Sequence, residues 1–442
     1  MERRFRVMGC MAEGIALDGH EWPGAGHCST VHRAKMAAKT PFCLSFWSQK
    51  LRFSCHIGVL WYGSSMIPRD FTPPRDQAYF LFGPRGTGKS MFVERFYKDG
   101  LFLDLLDSRI LNELTANPAA LSLRIPREFA DWVVIDEVQK VPALLDEVHR
   151  LIEKRRLRFV LTGSSARRLR RENANLLAGR ALNCRMYPLT AAELGGDFDL
   201  ARSLKYGHLP AACTSGNPGV FLQSYVRTYL QEEIRQEGLT RNLPAFSRFM
   251  EAASFSQGAP LNISAVARDC AVNRKVVENY FSILRDTLLS FEIPVFARKA
   301  KRSLIRSVKF YFFDAGVFRA VRPAGPYDSG SEAGGVALET LVLQEIAARN
   351  DYENRGYGIY YWRTKQGTEV DFVLYGERGF KAIEVKNSAR ARREDFNGLR
   401  QFGKEHPEAE LIFVYTGARR YHEGGIEVVP ADMFLQGLEE FV

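Results

Sequence analysis

Short apolar runs separated by glycine- and charge-rich turns give the chain its first outline. Residues 78–82 (AYFLF), 132–135 (WVVI) and 158–164 (RFVLTGS) are nearly continuous apolar stretches. A strand that is apolar at successive positions is buried on both faces, as in a parallel sheet. Between the second and third lies a helix with Val141, Leu144, Leu145, Val148, Leu151 and Ile152 on one face. Another strand follows from Ala181 to Leu189. Strands alternating with helices predict a three-layer α/β domain with a parallel sheet over residues 66–200.

The pattern then changes twice. From 201 to 300 it is helical. Leu243, Phe246, Phe249 and Met250 form one stripe, and Ile263, Val266 and Ala267 another. After a turn at 270–273, Asn273 caps a helix burying Val276, Val277, Tyr280, Phe281 and Leu284. This reads as a helix-turn-helix whose second helix exposes Arg274, Lys275 and Asn279, the side that faces the major groove in a DNA reader. A module used only for packing or dimerisation fits the same pattern. The basic run Arg298, Lys299, Lys301, Arg302 and Arg306 suits a wing. From 301 to 442 a helix (337–348) precedes strands at 358–363, around 370 and 385, and at 411–415, a second α/β domain. Residues 1–65 carry no helical or strand periodicity.

The chain has 442 residues, 46% hydrophobic and 25% charged, enough for several globular domains. A net charge of +10 favours a polyanionic partner. No apolar run approaches the ~18 residues that span a bilayer, and the N-terminal arginines have no apolar stretch behind them. A cytoplasmic protein without a membrane is expected. Cys10, Cys28, Cys43 and Cys55 share the N-terminal segment with His20, His27, His32 and His56, but none has the close partner a zinc site brings. The alternative is an upstream extension, with translation starting near Met66. Cys184, Cys213 and Cys270 read as small buried side chains.

The sharpest chemistry follows the first strand. Residues 83–90 read Gly83, Pro84, Arg85, Gly86, Thr87, Gly88, Lys89 and Ser90. The glycines let the backbone N–H groups turn inward on a phosphate chain. Lys89 reaches the β- and γ-phosphates, and the Ser90 hydroxyl suits a Mg²⁺ ligand. The second strand ends in Asp136 and Glu137. Asp136 suits the Mg²⁺ shell, and Glu137 suits the group that polarises the attacking water. Thr162, Ser164 or Ser165 stands where a γ-phosphate sensor would, or simply caps a strand. Arg180 is a candidate arginine finger, in cis or from a neighbouring subunit, or a surface arginine.

The strings FGPRGTGKS, VVIDEVQK, LTGSSARRL and AGRALNCRMYPLTAAEL together resemble the AAA-type ATPases of bacteria and archaea that carry a C-terminal domain of unknown function. The resemblance spans nearly everything from about residue 70 onward. It implies ATP as ligand, and a sheet in which the 158–164 strand lies between the two nucleotide-motif strands.

In the tail, GTEVDFVL carries Asp371 and KAIEVKN carries Glu384 and Lys386. Residues two apart in a strand share a face, and a hairpin from Val370 to Val385 would bring Asp371 beside them. Two carboxylates on a divalent cation with a nearby lysine suit phosphodiester hydrolysis. The series resembles the restriction-endonuclease-like nuclease core, whose helix acid Glu339 matches, although such cores also serve as inactive binding modules. Arg390, Arg392, Arg393 and Arg400 suit a phosphate track or a solvated face.

The expected function is Mg²⁺-dependent ATP hydrolysis coupled to a nucleic-acid-related activity on DNA, with metal-dependent cleavage by Asp371, Glu384 and Lys386 in the tail. Glu339 would join Asp371 and Glu384 on the metal. The alternatives are an ATP-bound switch or scaffold for a protein or DNA partner, and a signalling component whose tail recognises a protein. An oligomer fits any of these.

Overall fold

The computed structural model describes residues 67–442 apart from 165, 172–176, 231–233, 235–241, 298–307, 324 and 326–329. The N-terminal segment with its cysteines and histidines, Ser165 and the basic run from Arg298 to Arg306 lie outside the described residues. Ser65–Val442 forms one compact unit.

Its first layer system is a five-stranded sheet. The strands are β1 (Ala78–Phe82), β2 (Leu101–Asp104), β3 (Trp132–Asp136), β4 (Arg158–Gly163) and β5 (Ala181–Arg185), in the order β2-β3-β4-β1-β5. All neighbours are parallel. Alternate residues explain the continuous apolar runs. Phe80, Val133, Ile135, Phe159 and Leu161 pack into one core, while Tyr79, Leu81, Val134 and Val160 pack into another on the opposite face. As expected, β4 lies between β1 and β3. Strand β5 is shorter than the 181–189 read from hydropathy, and Met186, just past its end, is buried beneath the phosphate loop.

Three helices, Leu243–Ser254, Ile263–Asp269 and Arg274–Asp286, share a core with the antiparallel pair β6 (Ser290–Pro294) and β7 (Val308–Phe312). The boundary expected at residue 300 falls inside this pair. Strand β7 buries Phe310 and Phe312 with the helices, while its Tyr311 and the Ile293 of β6 pack into the tail core. Gln257 and Pro260, in the turn between the first two helices, form isolated bridges to Phe310 and Lys309.

The tail is a six-stranded mixed sheet. It contains β8 (Gly358–Arg363), β9 (Glu369–Gly376), β10 (Gly379–Lys386), β11 (Glu410–Tyr415), β12 (Tyr421–Glu423) and β13 (Ile426–Pro430), ordered β12-β13-β11-β10-β9-β8. The long helix Gly330–Tyr352 covers one face through Leu338, Leu341, Val342 and Ile346. The helix Asn397–Glu405 covers the other through Leu399 and Phe402.

Candidate nucleotide site and tail acid cluster

Parallel register sets the carboxyl ends of three strands level. Phe82 lies opposite Gly163, and Ile135 opposite Leu161. The phosphate loop, the end of β4 and the pair Asp136–Glu137 therefore stand along one edge. Gly86 and Gly88 take left-handed backbone (φ +83° and +90°), which favours glycine. At Gly83 a Cβ would lie 2.3 Å from the Met186 carbonyl oxygen, so only glycine fits.

Lys89 is 7% exposed. Its ammonium donates to the carbonyls of Gly83 (2.6 Å) and Pro84 (3.0 Å). Thr87 Oγ1 donates to Pro84 O at 2.9 Å, tightening the loop. Ser90 sits in the first turn of the helix Lys89–Phe96. A buried ammonium beside glycine-only backbone at a helix start is a donor set that fits a phosphate chain.

Across the edge, Asp136 is 4% exposed and accepts a hydrogen bond from Thr162 Oγ1. The same hydroxyl accepts from the Glu137 N–H at 3.2 Å. Glu137 has a left-handed φ of 60°, and its Oε2 accepts from the Gln139 amide. That amide also donates to Ser164 Oγ at 3.2 Å. Thr162 and Ser164 thus hold the acid pair.

Arg180 is not brought to this edge. It precedes β5, whose Ala181 lies level with Ala78 at the amino end of β1, and it pairs there with Glu153. Strand direction puts Arg180 at the opposite end of the sheet from the phosphate loop, so it does not approach this chain's own loop; a surface arginine or action on a neighbouring subunit remains.

Residues distant in sequence brace the loop. Arg69 donates to Thr87 O (2.7 Å), Tyr187 O (2.7 Å) and Tyr352 Oη (3.2 Å), and pairs with Glu193 at 3.0 Å. Tyr225 Oη donates to Arg85 O at 2.8 Å. None of these has a local sequence signature. Contact between Tyr352, the last residue of the tail's long helix, and the residues bracing the loop joins the two domains.

The tail hairpin pairs Ile383 with Phe372, and Asp371 Oδ2 accepts from the Val385 N–H at 3.0 Å. Asp371 and Glu384 are therefore neighbours, and Glu339 approaches from the long helix, its Oε2 accepting from Tyr311 Oη at 3.0 Å. The lysine among them is Lys309 of β7. It is fully buried, its ammonium 3.2 Å from Asp371 Oδ1, paired with Glu369 and 5.4 Å from the Tyr361 ring centre. Burial alone would lower its pKa, but Asp371, Glu369 and Glu339 outweigh burial and raise it. Burial, then the Asp371 charge, pushes Glu339 up to about 8 and Glu384 well above the usual carboxylate range.

The tail lysine expected from the sequence, Lys386, is not among these contacts. Lys386 is exposed, 3.7 Å from Asp395, because it ends its strand at the rim. Among the described residues no three carboxylate, imidazole or thiolate groups are placed to hold a metal. The Lys309 ammonium pairs with Asp371 and Glu369, Glu339 accepts from Tyr311, and Glu384 Oε2 is buried without a hydrogen-bond partner.

Comparison with known proteins agrees with the edge geometry. Residues 75–195 match a family model. The model is that of an AAA domain, and the match covers this segment alone. At that general level the match supports a nucleotide-binding, ATPase-type P-loop domain. Residues 197–328 and 334–434 match two domains of unknown function (DUF8612 and DUF4143), and their junction falls after β7. An uncharacterized protein of Mycobacterium tuberculosis is 26% identical over 371 residues, covering 82% of this chain and 81% of the relative. One from Methanocaldococcus jannaschii is 23% identical over 387 residues, covering 80% and 84%. Among solved structures, the Bacillus subtilis DNA clamp loader delta protein is 16% identical, covering 47% of this chain and 83% of its own, with a TM-score of 0.21. A Vibrio cholerae protein is 12% identical, covering 77% and 96%, with a TM-score of 0.20. Among the described residues no helix is long and apolar enough to cross a membrane.

Proposed function

We propose that the chain is a Mg²⁺-dependent ATPase whose turnover is coupled to nucleic-acid binding by its downstream modules. One observation carries the reading. A phosphate loop built on Gly83, Gly86 and Gly88 with the buried Lys89 stands on the same sheet edge as Asp136 and Glu137, and β4 between them holds both acids. In this reading the backbone from Gly83 to Gly88, with Lys89, holds the phosphates. Ser90 and Asp136 hold the ion, which supplies charge neutralisation when bound. Glu137 accepts the proton of the attacking water.

The middle module supports the coupling. Asn273 caps its second motif helix by accepting from the Val276 N–H at 3.0 Å. Val277, Tyr280, Phe281 and Leu284 are buried, leaving Arg274, Lys275 and Asn279 exposed. Three helices with an antiparallel strand pair suit a winged helix, and DNA is the polyanion it would read. Lys386 at the end of β10 and Arg390, Arg392 and Arg393 after it form a further exposed basic stretch. Among the described residues no group of three or more ligating side chains is placed to hold a metal, and this proposal assigns no cleavage to Asp371, Glu384 and Lys386.

An ATPase assay with and without duplex DNA, single-stranded DNA and RNA tests the coupling. Stimulation by one nucleic acid is expected. Turnover indifferent to all of them would favour a protein-directed switch.

A further inference from the structure

We propose that Gln139 is a positioning residue for Glu137, its carboxamide fixing the carboxylate against the end of β4. The proposal rests on the ATPase reading above. Gln139 lies in the turn after β3 and is 6% exposed. Its amide nitrogen has two hydrogens, and both are used, one on Glu137 Oε2 and one on Ser164 Oγ. Its carbonyl oxygen is buried without a hydrogen-bond partner.

That asymmetry separates positioning from packing. An orphaned buried acceptor is destabilising, and an apolar side chain of the same shape would avoid it. The amide is therefore held for its donors. Two backbone features fit. A Cβ at Gly163 would come 2.5 Å from Gln139 Oε1, so the glycine makes room for the amide. The left-handed φ of Glu137 is a conformation that non-glycine residues hold only where their surroundings enforce it. One amide thus links the candidate base to a hydroxyl at the carboxyl end of β4, where ligands of such sheets sit. A carboxylate free to rotate would spend less time aimed at the attacking water, which lowers turnover rather than nucleotide affinity.

Steady-state ATP hydrolysis by the full chain tests this, alongside binding of a non-hydrolysable ATP analogue. Gln139→Met, which keeps length and removes both donors, should lower kcat about ten- to a hundredfold, the scale of impaired general-base catalysis. KM and analogue affinity should stay within roughly threefold of wild type. Gly163→Ala, which displaces the amide without deleting it, should reproduce the kcat loss and serves if Gln139→Met does not fold. A wild-type kcat in either folded variant, or equal losses in kcat and analogue affinity, overturns the positioning role. Full activity of Glu137→Gln, or no turnover by the wild type, overturns the ATPase reading instead.

Discussion

Replacing Lys309 with methionine deletes a buried ammonium and leaves its carboxylate partners, Glu369 and Asp371, in place. Removing one member of a buried ion pair costs about 3–5 kcal/mol, since the remaining charge is stranded away from water. For a compact unit as large as Ser65–Val442 that corresponds to a fall in Tm of roughly 4–6 °C. The pH dependence gives the deficit a direction. Glu339 is raised from 4.5 to about 8 by burial and by Asp371, so the folded state holds a proton that the unfolded chain releases. That contribution is full below the unfolded pKa and is lost as pH rises through the folded one. Without the ammonium, each carboxylate that ionises on the way up is less compensated. The variant's deficit should therefore widen between pH 5 and pH 9. Thermal melting followed by circular dichroism across that range reads both quantities. Adding Asp371→Asn should recover part of the loss by removing one stranded charge. A variant melting within about 2 °C of wild type, against the several kcal/mol expected of a buried pair, would refute the assignment. So would a deficit flat in pH.

Lys89→Ala should abolish binding of a fluorescent ATP analogue, because it removes the loop's ammonium; retained affinity would contradict the phosphate site. Tyr225→Phe removes one hydrogen bond to the loop carbonyl of Arg85 and should cost about 0.5–1.5 kcal/mol of loop stability. It should be read as a KM for ATP raised a fewfold with kcat preserved. Arg274→Ala with Lys275→Ala should weaken duplex-DNA binding and make the slope of log affinity against log salt shallower by about 2. An unchanged slope would remove that helix face from the interface.

Chemistry that is local in the chain was legible before folding. The phosphate loop and the Asp136–Glu137 strand end follow from short strings and apolar runs, because parallel strands buried on both faces leave such runs; the place of β4 between β1 and β3 came only from the resemblance to AAA-type ATPases. Alternation along β10 also put Glu384 beside Asp371. It did not show that Lys386 ends its strand at the rim, since exposure at a strand end depends on what covers it. Lys309 was missed because it lies 62 positions before Asp371, on a strand of another module. Tyr225 was missed for the same reason, 140 positions from Arg85. Gln139 lay in full view within VVIDEVQK, but only the turn after β3 shows which atoms its amide meets.

The central claim is that Glu137 works on nucleotide held by the phosphate loop and that nucleic acid governs the rate. Single-turnover ATP hydrolysis by wild type and Glu137→Gln, each with and without duplex DNA, tests it most directly. Wild type should turn over faster with DNA. Glu137→Gln should retain bound, uncleaved ATP under both conditions. Cleavage by Glu137→Gln at the wild-type rate, or a wild-type rate indifferent to DNA, would contradict the account.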